Sequence, residues 1–222
     1  MPNPVRIFTT GDRTIIKRIF DIIISSVLLI VLSPVLLLLA VVIAITMGRP
    51  VIFSQLRPGL HGNLFAMYKF RTMTNAKDAQ GKFLPDAVRL TALGRFLRST
   101  SLDEFPEFYN VLKGEMSLIG PRPLLPEYLA RYTPRQARRH EVLPGITGWA
   151  QINGRNTISW EDKFEMDVWY VDHRTFWLDM QIFFLTIYKI VRREGISSKG
   201  EATMQVFTGE KAEINQQNMN HQ

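Results

Sequence analysis

The amino-acid sequence predicts an α+β protein, mainly helical, in which an N-terminal re-entrant membrane helix precedes a compact cytosolic domain. Three observations predict it. No charged residue occurs from Ile22 to Gly48, a run worth roughly 40 Å of straight helix, and Ser33-Pro34 interrupts it. Both flanks of that run are basic, with Arg6, Arg13, Lys17 and Arg18 before it and Arg49, Arg57, Lys69 and Arg71 after it. Beyond Pro50, short apolar-aromatic runs surround turn residues, and aromatic-rich helical segments follow.

The elements follow in order. Residues 1 to 14 read as a loose arm, and a helix starts near Thr14 with Lys17 and Arg18 placed to snorkel to headgroups. The apolar run is long enough to cross a bilayer. Pro34 has no N–H to give the carbonyl of Ile30, and in lipid that carbonyl needs another partner. A single crossing puts one flank outside, whereas cytoplasmic flanks carry the Lys/Arg excess. Equally basic flanks therefore fit a helix broken at Ser33-Pro34 whose two ends share the cytoplasmic face; a kinked single crossing is the other geometry the run allows.

The stretch "VIFSQLRPGLHGNLFAMYKFRTM" reads as a small β-hairpin with a long loop. Residues 74–90 are a polar surface excursion, and a helix is expected over 103–112, a short one up to about 140, then helices near 160–171 and 176–194. In "FWLDMQIFFLTIYKIVRR" nine uncharged residues separate Asp179 from Lys189, too few to span. This segment is either an interfacial amphipathic helix or an ordinary core helix. The units are 1–49, arm and membrane helix; 50–207, the compact domain; and 208–222, a polar tail expected to be disordered.

Composition narrows the chemistry. The 222 residues include no cysteine, which excludes disulfides and thiolate catalysis and suits a reducing compartment. A formal charge of +7 favours anionic partners. The basic residues are dispersed among acids, which argues against nucleic acid. Zinc-hydrolase, serine-hydrolase and P-loop signatures are missing.

The informative stretch is "LRSTSLDEFPEFYN". Proline is tolerated only in the first helical turn, so Pro106 places Asp103 at or near a helix N-cap, where a carboxylate stays ionised and suits a nucleophile or a Mg²⁺ ligand. The bland alternative is a capping box, with Ser101 as cap and Glu104 reaching back. Arg122 lies between prolines in "GPRP", fit for bidentate phosphate contact. Arg98 lies five residues before Asp103, and Lys69 alternates with Tyr68 and Phe70. Taken alone, each arginine is more often a solvated surface charge, and a lysine placed like Lys69 is usually on the polar face of a strand.

Taken together, "KRIFD" (17–21), "LSPV" (32–35), "FSQLRPG" (53–59), "YKFRTM" (68–73), "LRSTSLDEFPEFYNVLKGEMSLIGPRPLLPEY" (97–128) and "LPGITGWAQINGRN" (143–156) closely resemble the bacterial sugar transferase family, in particular its small monotopic phosphoglycosyl transferases. The resemblance implies transfer of a phosphosugar from a UDP-sugar to a polyprenol phosphate such as undecaprenyl phosphate, with release of UMP. It implies Asp103 as nucleophile through a covalent aspartyl phosphosugar, with Glu104 assisting as Mg²⁺ ligand or base. It further implies phosphate binding by Lys69, Arg98 and Arg122, and a membrane-helix break at Ser33 and Pro34. The implied location is the cytoplasmic face of a bacterial inner membrane, and the sugar donor it points to first is UDP-diacetylbacillosamine. The two other functions the sequence allows are a non-enzymatic basic membrane adaptor and a membrane-bound UDP-sugar phosphohydrolase.

Overall fold

A computed structural model describes residues 10–154, 158–192 and 207–209, and it is mainly helical with two small sheets. The elements run α1 (Thr10–Met47), β1 (Ile52–Pro58), β2 (Leu64–Phe70), α2 (Asp86–Arg89), α3 (Ala92–Ser99), α4 (Glu107–Lys113), β3 (Ser117–Ile119), α5 (Pro134–Ala137), β4 (Gly145–Thr147), α6 (Trp149–Asn153), α7 (Trp160–His173) and α8 (Phe176–Arg192). The arm before Thr10 and the tail after Gly209 lie outside the described residues.

Helix α1 starts at Thr10 and continues through Pro34, which corrects both the start expected near Thr14 and the helix break expected at Ser33-Pro34. The partner for the stranded carbonyl is local: Ser33 Oγ donates to Ile30 O at 2.7 Å. The Ser-Pro pair therefore supplies the hydrogen bond its own proline removes, which keeps a helix viable where water is absent. Among the described residues, Ile15–Met47 is the one helical stretch long and apolar enough to cross a membrane.

Both ends of α1 pack on the same domain. Near its start, Phe20 stands edge-on to Phe176 and Phe183, and Asp21 accepts from the Leu118 amide. Near its end, Ile43 is buried with Phe70 and Leu97, flanked by Leu36, Leu39 and Ala40. From Ser26 to Val42 nothing is buried, and Ile30 and Leu37 are 72% and 68% exposed. Lys17 and Arg18 point into the domain instead of snorkelling. Lys17 Nζ pairs with Asp179 at 2.8 Å, and Arg18 donates to the carbonyls of Val111 and Leu112 in the last turn of α4. Those end carbonyls have no partner within their own helix, so they attract a nearby guanidinium.

The expected hairpin is present: β1 and β2 are antiparallel, with Ile52 opposite Phe70 and Pro58 opposite Leu64. Phe65 and Met67 are buried, and the two-residue period puts Lys69 on their face. Lys69 therefore points inward and is not on a solvated strand face. The helix expected over 103–112 is corrected. It divides into a 3-10 turn, Leu102–Glu104, and α4, which begins only after its N-cap Pro106. The short parallel pair β3–β4 (Ser117 beside Gly145, Ile119 beside Thr147) was not anticipated. Gly145 lies so close to Gly120 that a Cβ there would overlap its backbone, which gives "PGITG" its steric reason.

Helix α7 starts at the cap Ser159, whose hydroxyl accepts from the Asp162 amide. Helix α8 is packed along one side only. Leu178, Asp179 and Ile182 are buried, while Trp177, Phe184 and Val191 are 72%, 64% and 78% exposed. A narrow stripe packs, and a broad apolar face stays open, as in helices that lie in a membrane interface.

Candidate active site

The hairpin, α3, the 102–104 turn and the Gly120–Pro123 loop converge on one charged cluster. Asp103 and Glu104 sit in the 3-10 turn after Ser101, whose φ of 56° is left-handed, a conformation costing about 1–2 kcal/mol for a residue with a Cβ. Turned that way, Ser101 makes no side-chain cap bond. The capping-box alternative is thereby overturned, because the Glu104 carboxylate takes two cations instead. Lys69 Nζ lies 2.7 Å from Glu104 Oε1. Arg122 donates to Glu104 Oε1 through Nη2 and to Oε2 at 3.3 Å through Nη1. Charge-assisted bonds of this kind outweigh one backbone amide.

These contacts set the electrostatics. Burial pushes Glu104 up, but Arg122 and Lys69 together outweigh it and hold its pKa at about 2. Glu107, in the first turn of α4, is 1% exposed and 3.1 Å from Lys69 Nζ. Burial and the charge of Glu104 push it up to about 7. Lys69 is thus shared by two carboxylates, and Glu104 is the more readily ionised of them.

Asp103 differs from both. It is buried, and among the described residues its carboxylate has neither an ion pair nor a hydrogen bond. Its pKa is raised, by burial first and by Glu104 second, against the pull of Lys69, Arg98 and Arg122. An unpartnered carboxylate held among three cations keeps its lone pairs available for a nucleophilic or ligating role.

The two remaining cations are fixed by the scaffold. Arg98 ends α3, whose cap Thr91 accepts from the Gly94 amide, and Arg98 Nε donates to Thr72 Oγ1 at 3.1 Å. Arg122 is held from behind, since its carbonyl accepts from Arg139 Nη2 at 2.7 Å, and Arg139 is buried against Asp167.

A cleft of about 1100 Å³ opens beside the cluster, with Arg98, Ser101, Leu102, Glu104 and Arg122 in its wall. Asp103 lies between two wall residues and is not itself part of the wall. The structure thus gathers Asp103, Glu104, Lys69, Arg98 and Arg122 at one place, and it sets Ser33 and Pro34 apart in α1. Sequence reasoning missed Glu107, Arg139, Asp167, Arg57 and Lys163. For Arg57 the signal was present in "LRPG", where it was read only as a basic flank and turn.

A profile of the family described as Bacterial sugar transferase matches residues 12–193. The chain is 56% identical over 195 residues to the "Uncharacterized sugar transferase EpsL" of Bacillus subtilis (strain 168), covering 88% of this chain and 96% of that protein. It is 43% identical over 189 residues to the "UDP-glucose:undecaprenyl-phosphate glucose-1-phosphate transferase" of Klebsiella pneumoniae, covering 81% of this chain and 41% of that one. It is 38% identical over 199 residues to the "UDP-N-acetylgalactosamine-undecaprenyl-phosphate N-acetylgalactosaminephosphotransferase" of Aeromonas hydrophila, covering 86% and 45%. The chain therefore spans less than half the length of these last two relatives. With the profile match covering most of its length and the signature stretches meeting at one cleft, this chain belongs to the bacterial sugar transferase family.

Proposed function

We propose that the protein is a membrane-bound phosphoglycosyl transferase that moves a phosphosugar from a UDP-sugar to a polyprenol phosphate. The observation that carries the reading is the unpartnered Asp103 carboxylate beside Glu104, which Lys69 and Arg122 clamp. The printed names of the curated relatives, which act on undecaprenyl phosphate with glucose or N-acetylgalactosamine donors, support it.

In this mechanism an Asp103 oxygen attacks the sugar-bearing phosphorus. The bond from that phosphorus to the bridging oxygen breaks, and its electron pair leaves with UMP. An oxygen of the polyprenol phosphate then attacks the same phosphorus, and the Asp103 carboxylate departs with its electron pair restored. Fixed cations suit both steps, because charge is redistributed over phosphate oxygens and no carbon acid is formed. Glu104 keeps Lys69 and Arg122 in place between turnovers.

The donor set also fits a Mg²⁺ ion. Among the described residues no three His, Cys, Asp or Glu side chains come together as a ready-made metal site, but Mg²⁺ commonly takes one or two carboxylates plus substrate phosphates. Asp103 is unpartnered, and Glu104 Oε2 accepts from Arg122 alone, so these two would hold the ion, which would neutralise phosphate charge.

The re-entrant topology belongs to the same proposal. The packing of both ends of α1 on one domain, with an exposed apolar middle, supports a helix that dips into the cytoplasmic leaflet and returns. The open apolar face of α8 would rest at the same interface. A cysteine introduced at Arg6 and one at Lys77 are both expected to escape a membrane-impermeant thiol reagent in intact cells; the native chain has no cysteine to interfere. Labelling at position 6 from outside overturns re-entry. Ser33→Ala combined with Pro34→Leu is expected to make part of the population label there.

UMP release over a panel of UDP-sugars, led by UDP-diacetylbacillosamine and other acetamido sugars, tests the reaction. Sustained release is expected only with polyprenol phosphate present. Sustained release without lipid identifies a phosphohydrolase, and no release with any donor leaves a non-enzymatic adaptor.

A further inference from the structure

Of the arginines in the cleft wall, Arg122 is neutralised by Glu104, while Arg57 and Arg98 meet no carboxylate at ion-pair distance among the described residues. Arg57, near the end of β1, is the stranger of these two. Its Nε is buried and has no hydrogen-bond partner, and its Nη2 donates only to the neighbouring Gln55 Oε1, at 2.8 Å. A buried donor left unpaired is uncommon and calls for a reason, of which an anionic ligand is one. Arg57 also stands close to a second guanidinium: burial lowers its pKa first, and the charge of Arg122 lowers it further. Lys163, in the first turns of α7, lines the same cleft over the ring of Trp160 at 4.8 Å. Burial brings it down to about 8, despite the pull of Asp167, with Arg139 and Arg122 lowering it too. Three cations lining one cleft make its wall attractive to an anion.

We infer that Arg57, Arg122 and Lys163 form a phosphate subsite of the cleft that holds the phosphate remaining on the nucleotide, the future leaving group. This deepens the proposed transferase reading and rests on it for the identity of the ligand. The reaction brings two phosphate-bearing groups to one phosphorus, the nucleotide and the lipid acceptor, and the cleft carries two arginines without carboxylates. Their surroundings assign them. Arg98 lies on α3, which packs through Leu97 on Ile43 of the membrane helix, so it is the arginine on the side of the membrane anchor. Arg57 feels Glu127 and Tyr128 instead, and Tyr128 belongs to a separate cluster with Leu124, Phe164 and Phe207. A water-borne nucleotide would enter at that end.

Calorimetric titration of the full-length protein in nanodiscs, with UMP and separately with uridine, tests this. Arg57→Gln is expected to weaken UMP binding by about 10- to 100-fold, the range of a charge-assisted bond. Uridine binding and the KM for polyprenol phosphate should stay within about twofold, a span too small to represent a lost charged contact. Arg57→Lys, which keeps the charge, should recover part of the loss. Lys163→Gln reads the same subsite if Arg57→Gln lowers the melting temperature. Unchanged UMP affinity in both Gln variants overturns the subsite. A rise in the lipid KM alone also overturns it, by assigning Arg57 to the acceptor phosphate. Wild-type protein that binds UMP but transfers nothing would leave the subsite standing and remove the transferase reading.

Discussion

Asp103→Asn is expected to lower turnover by at least about three orders of magnitude, as removal of a catalytic nucleophile does in other enzymes, while leaving the melting temperature nearly unchanged or slightly raised. The amide cannot form a phosphosugar adduct. The carboxylate it replaces has no ion pair or hydrogen bond among the described residues, and burial already disfavours its charge, so its removal breaks no bond. Incubating the wild-type protein with UDP-sugar alone should add the mass of one phosphosugar to the peptide containing Asp103, and the variant should show no adduct. An active Asn variant, or an adduct on another residue, would sink the proposed mechanism.

The sequence was most legible where a physical rule acts locally. The turn residues between aromatic strands depend on close neighbours, and β1 and β2 appear where that rule puts them; α1 covers the uncharged run but starts at Thr10 and continues through Pro34 where a break was expected. The three-residue strands β3 and β4 are too short to show a period, and they meet through Gly120 and Gly145, about 25 positions apart. The capping box failed for a related reason. Ser101 and Glu104 have the right spacing, but Lys69 and Arg122 arrive from 35 and 18 residues away and outbid the local amide.

Charge was harder to read than shape. Lys69 looked like the solvated side of a strand until the domain covered that face. Lys17 and Arg18 looked like headgroup ligands until α4 and Asp179 took them. Arg57 looked like a basic flank before a turn until the domain covered its Nε. Each of these residues depends on which element packs above it, and one sequence does not encode that in its spacing. Motif resemblance reached further, because it carried the juxtaposition of distant stretches that the residues alone left open.

Glu104→Gln separates the hub reading from the capping reading by stability as well as by activity. Gln can serve in a capping box, so a purely local role for Glu104 would leave stability unchanged. As the hub of the cluster, Glu104 accepts from both Lys69 and Arg122, and its charge offsets two partly buried cations. Arg122 and Lys69 hold its pKa well below the ordinary 4.5 in the fold, so the ionised carboxylate stabilises the fold at neutral pH. A depressed carboxylate stabilises the fold above its unfolded pKa and loses that contribution as the pH falls through the folded value. The variant should therefore melt well below wild type at pH 7, and the gap should narrow from about pH 4 downward as the wild-type carboxylate protonates. Turnover should fall by about 100-fold, the scale on which a displaced catalytic group costs rate, since Lys69 and Arg122 no longer share an anchor. A double-mutant cycle with Lys69→Met should return a coupling of about 1.5–3 kcal/mol, the size of a hydrogen bond to a charged group. Equal melting temperatures for wild type and Glu104→Gln at pH 7 would remove Glu104 as the hub of the cluster.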